Sequence, residues 1–255
     1  MIIAQLSDTH ILVPADGCPA AAGRSETLRR CVGDINSLDP QPDAVLHTGD
    51  MTHQGRDGEF DHAREILSEL KAPLFVTPGN RDGREGLLRA FAGEAWLAAN
   101  PPFIQYAVDG FPVRLVCVDS LSTDTRKGDL CATRLHTLDA TLSEAADRPT
   151  ALFLHHPPFE ITGLSDPFMY QRRAAVTGLA AVLARHPQVI RIFCGHAHRQ
   201  QTVSFAGVTA STVASIAVDL RKGTYPEAMA TRPAYSLHHF NGNGAFTSEI
   251  RWPVG

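Results

Sequence analysis

The sequence lacks long apolar runs and any excess of positive charge. No apolar run approaches the ~20 residues that a membrane-spanning helix requires. The residues before Asp8 include no Lys or Arg, so they are typical of a first core strand and not of a signal peptide. Asp and Glu outnumber Lys and Arg by 27 to 23, which argues against a general nucleic-acid surface or an anionic-membrane binder. We therefore expect a cytoplasmic protein with neither kind of partner.

Cysteine is also scarce. The five cysteines are odd in number and form no Cys-x-x-Cys pair, so the sequence does not indicate a disulfide framework. We interpret Cys117 and Cys194, which lie in strand-like segments, as small buried apolar residues. Histidine, by contrast, is abundant with 12 residues, and this favours metal binding without establishing it.

The chain is long enough to form one large domain, with or without a small appendage. It has 255 residues, of which 44% are hydrophobic, and can bury a substantial core. Strand-like segments alternate with segments of helical periodicity, and an Asp109-Gly110 turn between two strand-like runs indicates a mixed sheet. Ser25 is predicted to cap the first helix, after a mobile loop over residues 12–23. The simplest architecture is an α/β sandwich of two mixed sheets flanked by helices.

The last part of the chain consists of short alternating segments. We predict a core over residues 1–205 and strands in residues 206–255 that complete the sandwich. Between those strands, residues 219–232 form a polar segment that contains Pro and Gly. Two roles stay open for this segment: a cap over the active-site pocket, or a contact between the subunits of a homo-oligomer.

Five apolar runs end in Asp, Asn or His. The clearest spans residues 43–50, where an aliphatic and β-branched segment stops at Gly49 and Asp50. This ending is typical of a buried parallel strand whose C-terminal end holds a functional residue. The strand is rigid, and glycine lets the backbone or a ligand approach closely. The other four runs end at Asp8-Thr9-His10, Gly79-Asn80, His155-His156 and Gly195-His196-Ala197-His198.

Each of these motifs has an ordinary structural interpretation when it is taken alone, for example as a surface turn. Taken together, the motifs favour a metal-binding site, because seven residues that can bind metal fall at strand ends. Functional sites of α/β proteins lie at this edge of the sheet. Oxygen and imidazole donors without thiolate suit Mn, Fe, Co or Zn. Seven ligands are too many for one catalytic zinc but fit two ions that share a carboxylate. The seven are Asp8, His10, Asp50, Asn80, His156, His196 and His198.

The ordered series Asp-x-His, Gly-Asp, Gly-Asn-x-Asp, His-His-Pro-Pro and Gly-His-x-His resembles the calcineurin-like metallophosphoesterase superfamily. Within it, the sequence is most similar to bacterial class III cyclic-nucleotide phosphodiesterases and the related glycerophosphodiesterases. The resemblance extends from Met1 to about Phe205. It implies a four-layer αββα sandwich with two metal ions. One ion is then held by Asp8, His10, Asp50 and His198, and the other by Asp50, Asn80, His156 and His196.

The resemblance also implies the reaction. A phosphodiesterase of this kind hydrolyses small diesters, such as 3′,5′-cAMP or glycerophosphodiesters, by in-line attack of a metal-bound hydroxide. We expect Asp50, Asn80, Arg81 and His156 to act in catalysis, of which Arg81 is our own hypothesis and not a residue of the family pattern. Two alternatives stay open: a phosphomonoesterase or nucleotidase on the same centre, and a non-catalytic scaffold. A nuclease is less well supported, since no basic stripe with interleaved aromatic residues is present.

Position 81 departs from the family pattern, which usually has His after the Asn ligand. Arg81 stays protonated and cannot act as a proton donor, so we hypothesise that it clamps a phosphate oxygen. The alternative is a surface arginine paired with Asp82. His47 and His155 lie beside predicted ligands, and we expect them to support those ligands or to pack, not to bind metal.

Overall fold

Two mixed β-sheets face each other, and helices cover both outer faces, in the computed structural model of the chain. This is the four-layer αββα sandwich expected from the sequence. The structure describes residues 1–13, 18–97 and 102–253. Residues 14–17 of the loop predicted over 12–23 therefore lie outside the described residues.

The strands and helices alternate through most of the chain. The strands are β1 (Ile2–Leu6), β2 (Ala44–His47), β3 (Leu74–Val76), β4 (Tyr106–Val108), β5 (Arg114–Cys117), β6 (Thr150–Leu154), β7 (Val189–Cys194), β8 (Gln201–Phe205), β9 (Val208–Thr212), β10 (Tyr235–Phe240) and β11 (Phe246–Arg251). The α-helices are α1 (Pro19–Ser37), α2 (Asp57–Leu67), α3 (Arg84–Ala90), α4 (Ala132–Ser143) and α5 (Arg173–Leu183). Short 3-10 helices span Ala95–Leu97, Val218–Leu220 and Glu227–Met229.

The first sheet has the strand order β11-β10-β1-β2-β3, and the second has the order β4-β5-β6-β7-β9-β8. Strands β1, β2 and β3 are parallel, as are β5, β6, β7 and β9. Strand β4 pairs antiparallel with β5 across the predicted Asp109-Gly110 turn. The C-terminal strands β10 and β11 complete the first sheet by antiparallel pairing. Because parallel strands end at the same edge, each sheet gathers its strand-end residues in one place.

Three buried apolar layers hold the sandwich together. One lies between the sheets, one under α1–α3, and one under α4 and α5. The central layer joins Ile3, Leu46 and Phe75 of the first sheet to Leu115, Phe153 and Phe193 of the second. These strands are buried on both faces, which explains their nearly continuous apolar sequences. Full burial of each such side chain contributes about 1.5–3 kcal/mol.

The first helix begins earlier than the sequence analysis predicted. It starts at Pro19, and proline is favoured in the first turn because its missing N–H has no intrahelical partner there. Ser25 is therefore not the N-cap. Its hydroxyl lies inside the helix and donates to the Ala21 carbonyl at 2.9 Å.

Two compositional expectations concern the cysteines and the membrane. Cys117 and Cys194 are free, fully buried thiols in β5 and β7, as predicted. No helix in the described ranges is long and apolar enough to cross a bilayer. The cytoplasmic location and the absence of nucleic-acid partners stay predictions.

Candidate metal centre

The carboxyl ends of the two sheets meet at one edge of the sandwich, and the predicted site residues lie there. The first sheet supplies Asp8, His10, Asp50 and Asn80 from the ends of β1, β2 and β3, and the second supplies His155, His156, His196 and His198 from the ends of β6 and β7. Main-chain hydrogen bonds join neighbouring loops: Asp8 N–H donates to the Gly49 carbonyl and His10 N–H to the Asp50 carbonyl, each at 3.0 Å. The structure therefore brings residues from five separate motifs together.

Left-handed backbone is concentrated at this edge. Six non-glycine residues of the described chain have positive φ, and five of them are predicted ligands: Asp8 (53°), His10 (46°), Asp50 (51°), His196 (67°) and His198 (55°). Each such conformation costs about 1–3 kcal/mol and persists only where the surroundings impose it. Strain of this kind clusters at functional sites. Here the left-handed conformations direct the side chains of several strand-end loops towards a common centre.

Two motif glycines permit the close approach of the loops. A β-carbon on Gly79 would lie 2.0 Å from the Asp50 backbone nitrogen, and one on Gly195 would lie 2.2 Å from Ser7 Oγ. Neither position has room for a side chain. Glycine at these positions therefore lets the β3 loop reach Asp50 and lets the second sheet close on the first.

The first group of donors consists of Asp8, His10, Asp50 and His198, whose donor atoms all lie within 4.8 Å of one another. His198 Nε2 is 3.2 Å from Asp8 Oδ1 and 3.1 Å from His10 Nε2. Asp50 Oδ2 is 3.6 Å from His10 Nε2. His198 Nδ1–H donates to the Leu220 carbonyl at 2.9 Å, which leaves the Nε2 lone pair directed into the group.

The second group lies on the other side of Asp50. His155 Nε2 is 3.5 Å from Asp50 Oδ1, 3.1 Å from Asn80 Oδ1 and 3.2 Å from His196 Nδ1. His155 Nδ1–H donates to the Thr48 carbonyl at 2.8 Å, so its Nε2 also keeps a lone pair for the group. One oxygen of Asp50 thus faces each group.

His156, the member of the pair predicted as a ligand, lies beside the second group. Its Nε2–H donates to the Arg126 carbonyl at 3.0 Å, and its Nδ1 is 2.9 Å from Ser120 Oγ. Both ring nitrogens are therefore engaged by protein groups, although a donor atom of His156 lies within 4.8 Å of those of His155 and His196. His155, expected only to support or pack, is the histidine of this pair that reaches Asp50.

Burial favours the neutral form of His10, His155 and His196, whereas at His198 the Asp8 carboxylate outweighs burial and raises the pKa. Burial lowers the pKa of His10 to about 2, and it also lowers the pKa of His155 and His196 below the ordinary value. Neutral imidazole is the form that binds metal ions. Burial, together with the nearby Asp8 carboxylate, raises the pKa of Asp50 well above the usual range. A cation between the two carboxylates would remove this repulsion.

A buried acceptor atom also fits a cation. Asp8 Oδ1 is buried and has no hydrogen-bond partner among the described residues. Such an atom costs about 1–3 kcal/mol, and in native proteins it indicates an ion or a water molecule. Because Asp8 Oδ1 belongs to the first group of donors, a divalent ion held by that group would satisfy it. The residues present therefore fit a metal centre.

Arg81 lies at the mouth of the site. Its N–H donates to Asp50 Oδ1 at 2.7 Å, and its side chain lines a cavity of about 430 Å³ over the two groups. The alternative pairing with Asp82 is not observed among the described contacts. The Asp82 carboxylate instead accepts from the backbone N–H groups of Met51, Thr52 and Gly79 at 2.9–3.1 Å.

The sequence analysis missed a clamp formed by Arg24 and Asp219. Arg24, buried in α1, donates to the His10 carbonyl at 3.0 Å and pairs with Asp219 at 2.7 Å. Asp219 lies in the 3-10 helix whose Leu220 carbonyl holds His198. No local pattern could reveal this pair, since its members are 195 residues apart. The start of the 219–232 segment thus lies at the site, and its role as a cap stays a prediction.

Several known proteins are similar to this chain in sequence or in fold. The sequence model described as calcineurin-like phosphoesterase matches residues 1–200. A probable glycerophosphodiester phosphodiesterase, GpdQ, of Arcobacter nitrofigilis is 32% identical over 256 residues, which cover 99% of this chain and 93% of that protein. The 3′,5′-cyclic adenosine monophosphate phosphodiesterase CpdA of Escherichia coli is 24% identical, with coverage of 97% and 88%. A dimetal phosphatase of Danio rerio superposes with a TM-score of 0.72 at 16% identity, over 99% of this chain and 96% of that one.

The fold and the site define a metallophosphoesterase. The chain belongs to the calcineurin-like phosphoesterase family. The family, the enzyme class and the αββα fold predicted from the five motifs are thereby confirmed.

Proposed function

We propose that the protein is a dinuclear metal-dependent phosphodiesterase of small diesters, with cyclic nucleotides and glycerophosphodiesters as the substrate classes. The position of Asp50 carries this proposal, since its two carboxylate oxygens face two separate groups of donors. Two ions that share a carboxylate are the arrangement used for phosphoryl transfer. The names of the relatives support the substrate classes, because one is a glycerophosphodiesterase and the other a cyclic-nucleotide phosphodiesterase.

The proposed ligands divide between the two groups. Asp8, His10, Asp50 and His198 would hold one ion, and Asp50, Asn80, His196 and one histidine of the His155-His156 pair would hold the other. We favour His155 over the His156 predicted from the sequence, because its Nε2 reaches Asp50 and Asn80. When bound, two such ions acidify water and neutralise charge on phosphoryl oxygens. Fe, Mn, Co and Zn all suit these donors.

The chain's own residues then position the substrate. Arg81 is held by its main chain against Asp50, and its guanidinium faces the cavity with five N–H donors and a permanent charge. It can bind a non-bridging phosphoryl oxygen and stabilise the charge that develops there. Because Arg81 cannot release a proton, the leaving group takes its proton from solvent.

Hydrolysis of bis(p-nitrophenyl) phosphate and p-nitrophenyl phosphate tests the proposal. Metal-free protein re-supplied with Mn²⁺ or Co²⁺ should turn over the diester, and Asn80→Ala should lower kcat by roughly 100-fold or more. Asn243→Ala, in the exposed turn between β10 and β11, is the matched control and should keep full activity. Arg81→Ala should lower kcat/KM on the diester, and unaltered kcat and KM would reject the clamp.

The same assay separates the rival functions. Preference for the monoester would move the protein to the phosphomonoesterases. Absence of turnover with metal bound would favour a non-catalytic scaffold. Metal-independent turnover of either substrate would contradict the proposed centre.

A further inference from the structure

The cavity over the metal centre is lined by more cations than a phosphodiester requires. Arg81, Arg126, Lys127 and Lys222 all line it. Lys127 Nζ pairs with Asp166 at 2.7 Å. Within the described ranges, the other three side chains have no salt-bridge partner. A phosphodiester carries a single negative charge, which Arg81 and the proposed metal ions would already neutralise. Such a substrate then has no negative charge to pair with Arg126 and Lys222.

Hydrogen bonds tie the backbone of each of the three residues that carry an unpaired cation to the metal centre. The three hydrogen bonds are Arg81 N–H to Asp50 Oδ1 at 2.7 Å, His156 Nε2–H to the Arg126 carbonyl at 3.0 Å, and Lys222 N–H to the His198 carbonyl at 2.9 Å. The cations therefore belong to three different loops that are each tied to a predicted ligand or its neighbour. Scattered surface lysines and arginines would not be anchored in this way.

The unpaired charges also act on one another. Arg81 and Arg126 line the same cavity. Like charges that face one cavity repel in the free protein, and they raise the local concentration of anions. The repulsion is relieved when an anionic ligand binds between them.

We propose that Arg126 and Lys222, here called the basic rim, bind a second phosphate group of the substrate. The enzyme then prefers diesters that carry a further phosphate to diesters whose ester groups are neutral or cationic. This inference rests on the proposed function, because the first anion is the scissile phosphate at Arg81. Choline or ethanolamine esters are disfavoured for the same reason, since their cationic groups would face the basic rim.

Two nucleotide esters that differ in one phosphate group provide the kinetic test. Thymidine 5′-(p-nitrophenyl phosphate) and its 3′-phosphorylated form both release p-nitrophenolate. We expect kcat/KM to be about tenfold higher for the 3′-phosphorylated ester at low ionic strength, and the ratio to shrink in high salt. In the double variant Arg126→Gln, Lys222→Gln, the ratio should fall towards one. Lys71→Gln, an exposed lysine outside this cavity, is the matched control and should keep the ratio.

Calorimetric binding separates this inference from the proposed function. The wild-type protein should bind thymidine 3′,5′-bisphosphate about tenfold more tightly than thymidine 5′-monophosphate, and the double variant should bind both equally. The proposed role of the basic rim would be rejected if the wild type bound the two nucleotides equally tightly. It would also be rejected if the double variant kept the preference for the bisphosphate. Absence of diester turnover beside a preserved binding preference would overturn the proposed function alone.

Discussion

At the residue scale, the choice between two adjacent histidines decides the second metal group. His155→Ala should lose one metal equivalent per chain, because His155 Nε2 is the atom that reaches Asp50 and Asn80. His156→Ala should keep both ions and lose about 10–100-fold in activity, as expected for a residue that orients its neighbours. Elemental analysis of the purified variants, together with diester turnover, measures both effects.

The reverse result would return the ligand role to His156, as predicted from the sequence. That prediction identified the strand end correctly, because an apolar run followed by polar residues marks it. It could not choose between consecutive residues, which leave a strand on opposite sides. The choice depends on the Thr48 carbonyl, which holds His155, and on the Arg126 carbonyl, which holds His156. Both partners lie far away in the sequence.

At the element scale, helix α1 and the 3-10 helix at Val218–Leu220 act together on the first donor group. Arg24→Gln should lower the affinity of this group for metal by about 10–100-fold, because the His10 carbonyl and Asp219 both lose their ionic partner. Titration of metal-free protein with Mn²⁺ in competition with a chelating dye measures the change. Arg29→Gln, exposed on the same helix, is the control. Equal affinities in both variants would show that the clamp does not position the ligands.

The position of Arg24 also explains what the sequence could not predict at this scale. With Ser25 taken as the N-cap, Arg24 falls outside the helix and has no evident role. The actual start at Pro19 adds the turns that carry Arg24 towards His10. Strands and helices with strong apolar periodicity were predictable, since their patterns are local. The clamp was not, because a helix start and a pairing over 195 residues both depend on tertiary structure.

At the scale of the whole molecule, closure of the sandwich buries many imidazoles at once. The residues whose pKa burial lowers are His10, His47, His53, His155, His156, His196 and His238. In the unfolded chain these groups take up protons near pH 6.5. The folded chain does not, so the unfolded state binds more protons below that pH. Asp50 and His198, whose pKa is raised, act in the opposite direction, but they are two groups against seven.

The free energy of unfolding of the metal-free protein should therefore fall between pH 7 and pH 5, by about 1.4 kcal/mol per pH unit for each net proton. Urea unfolding in the presence of a chelator, at pH 7, 6 and 5, measures this dependence. His238 Nε2–H donates to Gln5 Oε1 at 3.0 Å within the first sheet, and His238 lies outside both donor groups. His238→Gln should therefore reduce the pH slope, whereas His136→Gln, an exposed histidine, should leave it unchanged. A flat or inverted profile would mean that Asp50 and His198 outweigh the buried imidazoles. The carboxylate repulsion in the first donor group would then dominate the stability of the metal-free sandwich.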